Sequence, residues 1–230
     1  VVDGKIDHVD IGDLTYIDVY QCPNLKELPN WLNVTLVNIF ECPGLTELPN
    51  WPNVQRVICT MNTGLTELPN WQNVTSVFCD DCPMLAELPN WPNVEKIRCA
   101  GCIRLKELPN WKNVTTVICD DCPMLEELPN WTNVELVSCI RCILLRKLPN
   151  WQNVNNVFCD DCTMLEELPN WTNVEMVSCN RCILLRKLPR WQMIERAHAR
   201  GCPGLVYAAL VVLIQSEFLL DDLKKECILW

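Results

Sequence analysis

The sequence repeats itself every 20 residues from about residue 14 to residue 193, and one copy reads CDDCPMLAELPNWPNV at residues 79–94. Self-similarity at a fixed period of this size is typical of a solenoid, in which each repeat buries its apolar face only against its neighbours. The period therefore overrides the one or two globular domains that a chain of 230 residues would ordinarily suggest.

The repeat is built from fixed apolar columns. With Val74 taken as position 1, turn 1 begins at Leu14 and turn 10 at Ile194. Position 4 is Ile or Val through Val177, position 12 is Leu, and positions 15–18 read Leu-Pro-Asn-Trp. Position 6 changes from Val or Ile to Cys at Cys59, and position 9 is Cys in every turn except at Asn62. The consensus is V-x-x-V-x-C-x-x-C-x-x-L-x-x-L-P-x-W.

This consensus resembles a leucine-rich repeat of the short, roughly 20-residue type, from Leu14 to about Leu205. Its C-x-x-L-x-x-L-P part is similar to the repeats of plant resistance receptors, and its length and Leu-Pro pair to those of bacterial type III effectors. The sequence motif C-P-x-L-x-E-L-P-N-W-x-N-V most resembles repeat proteins of marseillevirus-like giant DNA viruses.

Elementary stereochemistry agrees with a leucine-rich-repeat solenoid. Side chains at positions 4 and 6 point to one face of a short strand, and strands of successive turns should pair in parallel about 4.8 Å apart on the concave side. Pro at position 16 predicts an extended or turn-like convex side without helices. The Trp column should fill the convex side of the core, with each ring near the next. Asn62 indicates that the position 9 column has a structural role, because Asn can satisfy backbone groups as donor and acceptor.

The two ends of the chain are predicted to be caps. Residues 1–13 supply the outer strand of an N-terminal β-hairpin, residues 14–205 form the repeats, and residues 206–230 form a C-terminal capping α-helix. A docking role for this helix remains an alternative.

A second period of 40 residues overlies the first from residue 74 onward. Acidic turns carry Asp80-Asp81, Asp120-Asp121 and Asp160-Asp161, whereas basic turns carry Arg141 and Arg181 with the Arg-Lys pairs at 146–147 and 186–187. We expect Arg141 to lie between Asp121 and Asp161, and the pair 146–147 to lie between the Glu pairs 126–127 and 166–167. Each exposed ion pair should contribute only about 0–1 kcal/mol.

Charge and cysteine usage limit the partners and the compartment. A net charge of −10 argues against nucleic acid and against anionic membrane. No apolar run is long enough for a membrane span, and no signal peptide is visible, although Val1 leaves room for a trimmed leader. The 17 cysteines follow the repeat, and we interpret them as reduced core thiols of a cytoplasmic protein, in a host cytoplasm if the protein is viral.

The sequence gives weaker support for a metal site or a catalytic site. The pairs Cys79-x-x-Cys82 and Cys99-x-x-Cys102 match a zinc-ribbon spacing, but the period alone generates that spacing, and Val19, Ile39 and Asn62 interrupt the columns. His8 and His198 lie near opposite ends, so no Cys-His pair can form within the array. We therefore expect no enzyme activity, metal or cofactor.

The remaining candidate is the concave strand face, where positions 3, 5, 7 and 8 should point outward. Apolar and aromatic side chains beside charges there are typical of a protein-binding surface, although strands favour such residues on either face. The predicted function is non-enzymatic binding of a protein partner. A metal-binding or thiol-redox protein and a structural or self-assembling component are the alternatives, and the oligomeric state is left open. The predicted binding residues are Tyr16, Tyr20, Leu36, Phe40, Arg56, Ile58, Phe78, Asp80, Lys96, Arg98, Ile118, Asp120, Phe158 and Asp160.

Overall fold

The computed structural model describes residues 14–205, and the predicted caps at 1–13 and 206–230 lie outside the described residues. Every turn contributes one strand to a parallel sheet whose strand order follows the chain. The strands are β1 (Tyr16–Tyr20), β2 (Leu36–Phe40), β3 (Arg56–Thr60), β4 (Ser76–Phe78), β5 (Lys96–Arg98), β6 (Thr116–Ile118), β7 (Leu136–Ser138), β8 (Asn156–Phe158), β9 (Met176–Ser178) and β10 (Arg196–His198).

The register of the sheet equals the sequence period. Each strand residue pairs with the residue 20 positions away, as Val57 does with Val37 and Val77. Because a slip by one residue would turn every apolar side chain to solvent, the buried columns at positions 4 and 6 hold this register. The predicted parallel solenoid is confirmed.

The core is a set of stacked columns. Positions 1, 4, 6, 9, 12, 15 and 18 are buried in nearly every described turn, and the side chains of turn 5 from Val94 to Trp111 show the pattern in full. A core of this kind makes each turn depend on its neighbours, because no single turn encloses its own apolar side chains.

Each strand ends at a left-handed corner. Position 8 has positive φ throughout the described turns, as at Met61 (φ 55°) and Asp121 (φ 55°), and glycine occupies it only at Gly101 and Gly201. At Gly101 an added Cβ would lie 2.3 Å from Oδ1 of Asp81 in the preceding turn. We expected position 8 to belong to the strand face, but the structure places it in the corner that ends the strand.

The return limbs consist of turns and extended chain, and residues 21–195 contain no helix. Within each limb, the N–H of Leu at position 12 donates to the carbonyl of position 9, for example from Leu125 to Cys122 over 3.2 Å. This bond closes a tight turn whose central residues, at positions 10 and 11, protrude from the body of the solenoid.

The tryptophans form a continuous stack, as predicted. Successive indole centroids lie 6.0–6.3 Å apart with their planes within 11° of parallel. Each indole N–H from Trp51 to Trp191 also donates to the carbonyl of the position 16 proline in the preceding turn, over 2.9–3.1 Å. Each of these indoles therefore has its only polar atom in a hydrogen bond.

The predicted stacking of opposite charges gives ion pairs in one column but not in the other. Arg141 and Arg181 each form a two-pronged ion pair with the aspartate of the preceding turn, Asp121 and Asp161. Within residues 14–205 neither Arg146 nor Lys147 forms an ion pair with the glutamates of the adjacent turns. Their exposed side chains have no geometric restraint that would hold them against a neighbouring turn, and such pairs are only marginally favourable.

Candidate binding surface

The structure places all predicted binding residues on one surface. They occupy positions 3, 5 and 7, which alternate with the buried positions 4 and 6, so their side chains leave the sheet on the side opposite the core. We call this surface the strand face. It also holds residues that the sequence analysis did not name, among them Asp18, Asn38 and Thr60, although their positions in the same columns could have identified them.

The amino-terminal end of the strand face is aromatic. Tyr16 is 47% exposed and Tyr20 is 59% exposed. The Tyr20 ring stacks on Phe40 with centroids 4.8 Å apart and planes within 8°. Leu36 adjoins Tyr16 in the next strand. These rings contribute little to the core, because the apolar side chains that fill it belong to the alternate positions.

Polar groups accompany the aromatic end. The Asn38 side-chain amide donates to Oδ1 of Asp18 over 3.0 Å. Partial desolvation, a hydrogen bond to Asp18 and the charge of that carboxylate raise the pKa of Tyr16 above its usual value. The amino-terminal end thus offers flat apolar rings beside a fixed carboxylate and amide.

The middle of the strand face carries positively charged side chains. The Arg56 guanidinium lies over the Phe78 ring, 5.2 Å from its centroid. Lys96 and Arg98 follow in turn 5, and Arg98 forms an ion pair with Asp80 at 2.5 Å. Arg56 remains exposed above the ring, where it can still reach an acceptor on a partner.

The aspartates at position 7 are engaged within the protein. Oδ1 of Asp120 accepts the Ser138 hydroxyl at 2.6 Å and the backbone N–H of Ile140 at 2.8 Å. Asp160 binds Ser178 and the backbone of Asn180 in the same way. Asp80 accepts the N–H of Ala100, and desolvation raises its pKa although this bond and Arg98 lower it.

These aspartates accept backbone N–H groups just beyond the ends of β5, β7 and β9. In the first three turns the ladder continues to position 7, but from β4 onward it ends at position 5. The N–H groups of Ala100, Ile140 and Asn180 then donate to an aspartate of the preceding turn. Each acidic turn thus supplies an acceptor that the following turn uses, whereas β4, β6 and β8 also end at position 5 after turns without an aspartate at position 7.

The cysteine columns are packing and hydrogen-bonding elements in the described turns. From Cys82 to Cys202 each position 9 thiol donates to the position 6 carbonyl of the preceding turn, over 2.9–3.1 Å. Asn62 does the same to Ile39 at 2.9 Å, and its Oδ1 accepts the N–H of Cys42. This confirms the structural role predicted from Asn62.

The environment of the position 6 thiols disfavours their ionised form. A hydrogen bond to the position 9 thiol of the next turn and complete burial raise the pKa values of the position 6 thiols, for example at Cys79 and Cys119. Metal ligation and thiol exchange both require the thiolate. Among residues 14–205 no three His, Cys, Asp or Glu side chains are grouped so that they could hold a metal ion.

The asparagines at position 20 form a ladder that the sequence analysis did not anticipate. From Asn53 to Asn173 each side-chain amide donates to the position 19 carbonyl of the preceding turn, over 2.8–3.1 Å. The column of Asn at position 20, repeated from turn to turn, was the available signal. Residues 14–205 contain no helix long and apolar enough to cross a membrane.

Comparisons with known proteins support the fold. No protein-family model and no curated protein sequence matches this chain. The leucine-rich repeat domain of the type III effector XopL is similar in structure, with a TM-score of 0.57 and 18% identity over 84% of this chain and 71% of that one. A leucine-rich repeat protein from Bacteroides ovatus shares 13% identity over 82% of this chain and 77% of its own, at a TM-score of 0.38. The chain therefore has a leucine-rich-repeat fold, while a viral relationship is not shown.

Proposed function

We propose that this solenoid binds a partner protein through the amino-terminal part of its strand face, without chemical turnover. Leucine-rich-repeat solenoids commonly serve as protein-interaction modules, and the similarity to the XopL repeat domain is consistent with such a role. Fold alone does not define a function, so the proposal depends on the surface itself.

The observation that supports it most directly is exposed Tyr20 stacked on half-buried Phe40, with exposed Tyr16 at the other end of the same strand. Tyrosine is enriched at the centres of protein interfaces because it combines a large rigid ring with a hydroxyl. These aromatic side chains lie within a rigid sheet, so binding would order few side chains and would incur a small entropic cost.

Not all predicted binding residues are equally available to a partner. Tyr16, Tyr20, Leu36, Phe40 and Arg56 present exposed or half-buried side chains at positions 3 and 7. Lys96 continues the position 3 column, and Ile58, Phe78, Ile118 and Phe158 form the position 5 column beside it. Asp80, Asp120 and Asp160 already accept backbone hydrogen bonds. We therefore assign the main energetic contribution to the aromatic end and a smaller one to the aspartates.

The proposal is tested with the double variant Tyr20→Thr and Phe40→Thr. Thr60 occupies the same column in turn 3, so threonine fits the strand at this position. Partners are captured with the parent protein and identified by mass spectrometry, and each candidate is then purified and titrated. Loss of two central aromatic anchors should lower the affinity for the direct partner at least about 30-fold.

The matched control is Leu32→Thr, because Leu32 is also apolar and exposed (65%) but lies at position 19, away from the strand face. Threonine is native at this position in Thr132 and Thr172. Equal binding by the parent and the strand-face variant, with unchanged circular dichroism, would reject the assigned surface. A loss of affinity in the control as well would indicate an unspecific effect.

No geometry in the described turns favours the thiol or metal alternative. The position 6 thiols and the position 9 thiols from Cys42 onward are buried, and a hydrogen bond to the thiol of the next turn together with burial raises the pKa of the position 6 thiols, for example at Cys99. A stoichiometric metal that leaves with a chelator and takes the fold with it would support that alternative against the binding proposal.

A further inference from the structure

A second surface, separate from the strand face, carries exposed apolar side chains. The central residues of the tight turns in turns 6–9 form a row that we call the apolar ridge, and its most exposed members are Met124 (40%), Ile143 (42%), Ile183 (49%) and Leu184 (39%). Leu144 and Met164 are half-buried between them. Apolar residues in a continuous row on a protein surface are a feature of interaction sites.

Local geometry makes these side chains protrude. Positions 10 and 11 lie at the tip of the turn closed by the bond from position 12 to position 9, and positions 9 and 12 point inward on either side. The ridge therefore projects above the core, where it adds little to the stability of the monomer.

A band of charge runs beside the ridge at positions 13 and 14. It alternates in sign from turn to turn, with Glu126-Glu127, Arg146-Lys147, Glu166-Glu167 and Arg186-Lys187 in turns 6, 7, 8 and 9. All eight side chains are exposed, and none of them takes part in an ion pair with another described residue. The band is neutral overall in a chain of net charge −10.

This pattern is complementary to itself under a two-fold rotation. If two copies meet ridge to ridge with antiparallel solenoid axes and the axis of rotation between turns 7 and 8, turn 6 faces turn 9 and turn 7 faces turn 8. The acidic pair 126–127 then faces the basic pair 186–187, and the pair 146–147 faces 166–167. Every charged pair of the band meets its opposite, and each contact occurs twice, as in an isologous interface.

The parallel alternative lacks this complementarity. A two-fold axis along the ridge would place each turn against the same turn of the other copy, with positions 13 and 14 facing the corner at position 8. Glu126-Glu127 would then approach Asp121, and Arg146-Lys147 would approach Arg141. Every one of turns 6–9 would bring like charges together, which disfavours this arrangement.

We propose that the apolar ridge and its charge band join two copies of this chain in an antiparallel dimer. The strand face takes no part in the interface, so both copies keep it available to partners. The antiparallel arrangement also directs turns 1–4 of the two copies away from each other, which separates the position 14 glutamates Glu27, Glu47, Glu67 and Glu87.

The size of the surface predicts a weak dimer. With turns 5 and 10 at the margins of the ridge, the contact spans six turns, which at about 4.8 Å each give a length of about 29 Å. A width of about 15 Å then gives roughly 450 Å² per copy, below the roughly 800 Å² per partner of a standard stable interface. We expect a dissociation constant of about 10 µM to 1 mM, which makes association dependent on concentration.

Complementary charge-reversal variants of the full chain test the proposal. The acidic variant carries Arg146→Glu, Lys147→Glu, Arg186→Glu and Lys187→Glu, and the basic variant carries Glu126→Lys, Glu127→Lys, Glu166→Lys and Glu167→Lys. Each should sediment as a monomer at concentrations where the parent dimerises, because its band then repels itself. An equimolar mixture should dimerise at least as tightly as the parent, because opposite bands meet.

A second pair of variants, each with one substitution, tests the proposal if the charge-reversal variants fail to fold. Ile183→Asp places a charge in the ridge and should weaken dimerisation at least about 10-fold, whereas Leu32→Asp places the same charge on an exposed apolar site elsewhere and should leave it unchanged. A parent that stays monomeric at about 1 mM, the upper limit expected from the interface area, would overturn the proposal. So would a mixture of the two charge variants that remains monomeric, or equal dimerisation of Ile183→Asp and the parent.

Discussion

Two adjacent aspartates in the same turn have different physical roles. Asp120 lies at the end of the strand, where its carboxylate accepts the Ser138 hydroxyl and the N–H of Ile140. Asp121 lies in the left-handed corner and pairs with exposed Arg141. This Arg141 contact lowers the pKa of Asp121. The sequence Asp-Asp alone does not distinguish these roles.

Substitution at the two positions should therefore have unequal effects. Asp120→Ala should lower the free energy of unfolding by about 1–3 kcal/mol, because the Ile140 N–H loses its acceptor. Asp121→Asn should cost only about 0–1 kcal/mol, because it breaks an exposed ion pair and keeps a residue that tolerates positive φ. Urea unfolding of both variants at pH 7 measures the difference. Equal losses would contradict the assigned role of Asp120.

At the scale of the element, the tryptophan column couples neighbouring turns by two separate contacts. Each ring stacks on the rings before and after it, and each indole N–H reaches the proline carbonyl of the preceding turn. The proline that prevents a helix in the return limb thus also provides the acceptor for the next tryptophan. One short motif, Leu-Pro-Asn-Trp, therefore serves both conformation and packing.

Replacing an indole by a phenyl ring keeps a stacked aromatic group but removes the N–H donor. Trp131→Phe should lower the free energy of unfolding by about 2–4 kcal/mol, because it removes the indole N–H bond to the Pro109 carbonyl, which keeps only the Trp111 backbone N–H, and reduces the buried ring. Trp31→Phe is the control, since Trp31 is only half-buried and stacks on one side within the described turns. Its cost, measured by the same urea titration, should be clearly smaller. A larger loss at Trp31 than at Trp131 would refute this account of the column.

For the whole molecule, the buried thiols add a collective dependence on pH. Their pKa values in the folded protein are raised by bonds to neighbouring thiols and by burial, notably at Cys59, Cys79, Cys99, Cys119, Cys139, Cys159 and Cys179. A thiol of the unfolded chain ionises near pH 8.5, about where free cysteine does. The stability that these groups contribute is therefore complete below about pH 8.5 and is lost as the pH rises further.

The solenoid should unfold in mildly alkaline solution. Each of these thiols lowers the free energy of unfolding by about 1.4 kcal/mol per pH unit above about pH 8.5. The seven together therefore lower it by about 10 kcal/mol per pH unit. Urea midpoints measured under reducing conditions should be constant from about pH 6.5 to 8 and fall steeply above about pH 9. Replacing Cys99 and Cys119 by Val, the residue at Val19 in this column, should reduce the slope by about two sevenths. A midpoint that does not change up to about pH 10 would contradict thiol burial.

The period, the columns at positions 4, 6 and 12, and Pro at position 16 were sufficient to predict a parallel solenoid without helices in its return limb, and to predict which strand positions leave the core. These features follow from the sequence because strand alternation and the conformational limits of proline are local. The sequence also indicated, through Asn62, that the cysteine column is structural.

Other properties depended on which atoms meet between turns. Only the tertiary structure showed that Asp80, Asp120 and Asp160 accept backbone N–H groups of the following turn and that position 8 is a left-handed corner. It also showed that the charges at positions 13 and 14 of turns 6–9 form no ion pairs among the described residues, while Arg141 and Arg181 do. The reason is that a contact between residues 20 positions apart is set by side-chain direction and backbone geometry in both turns. A column of identical residues is compatible with several such contacts, and the packing of the turns decides which contact forms.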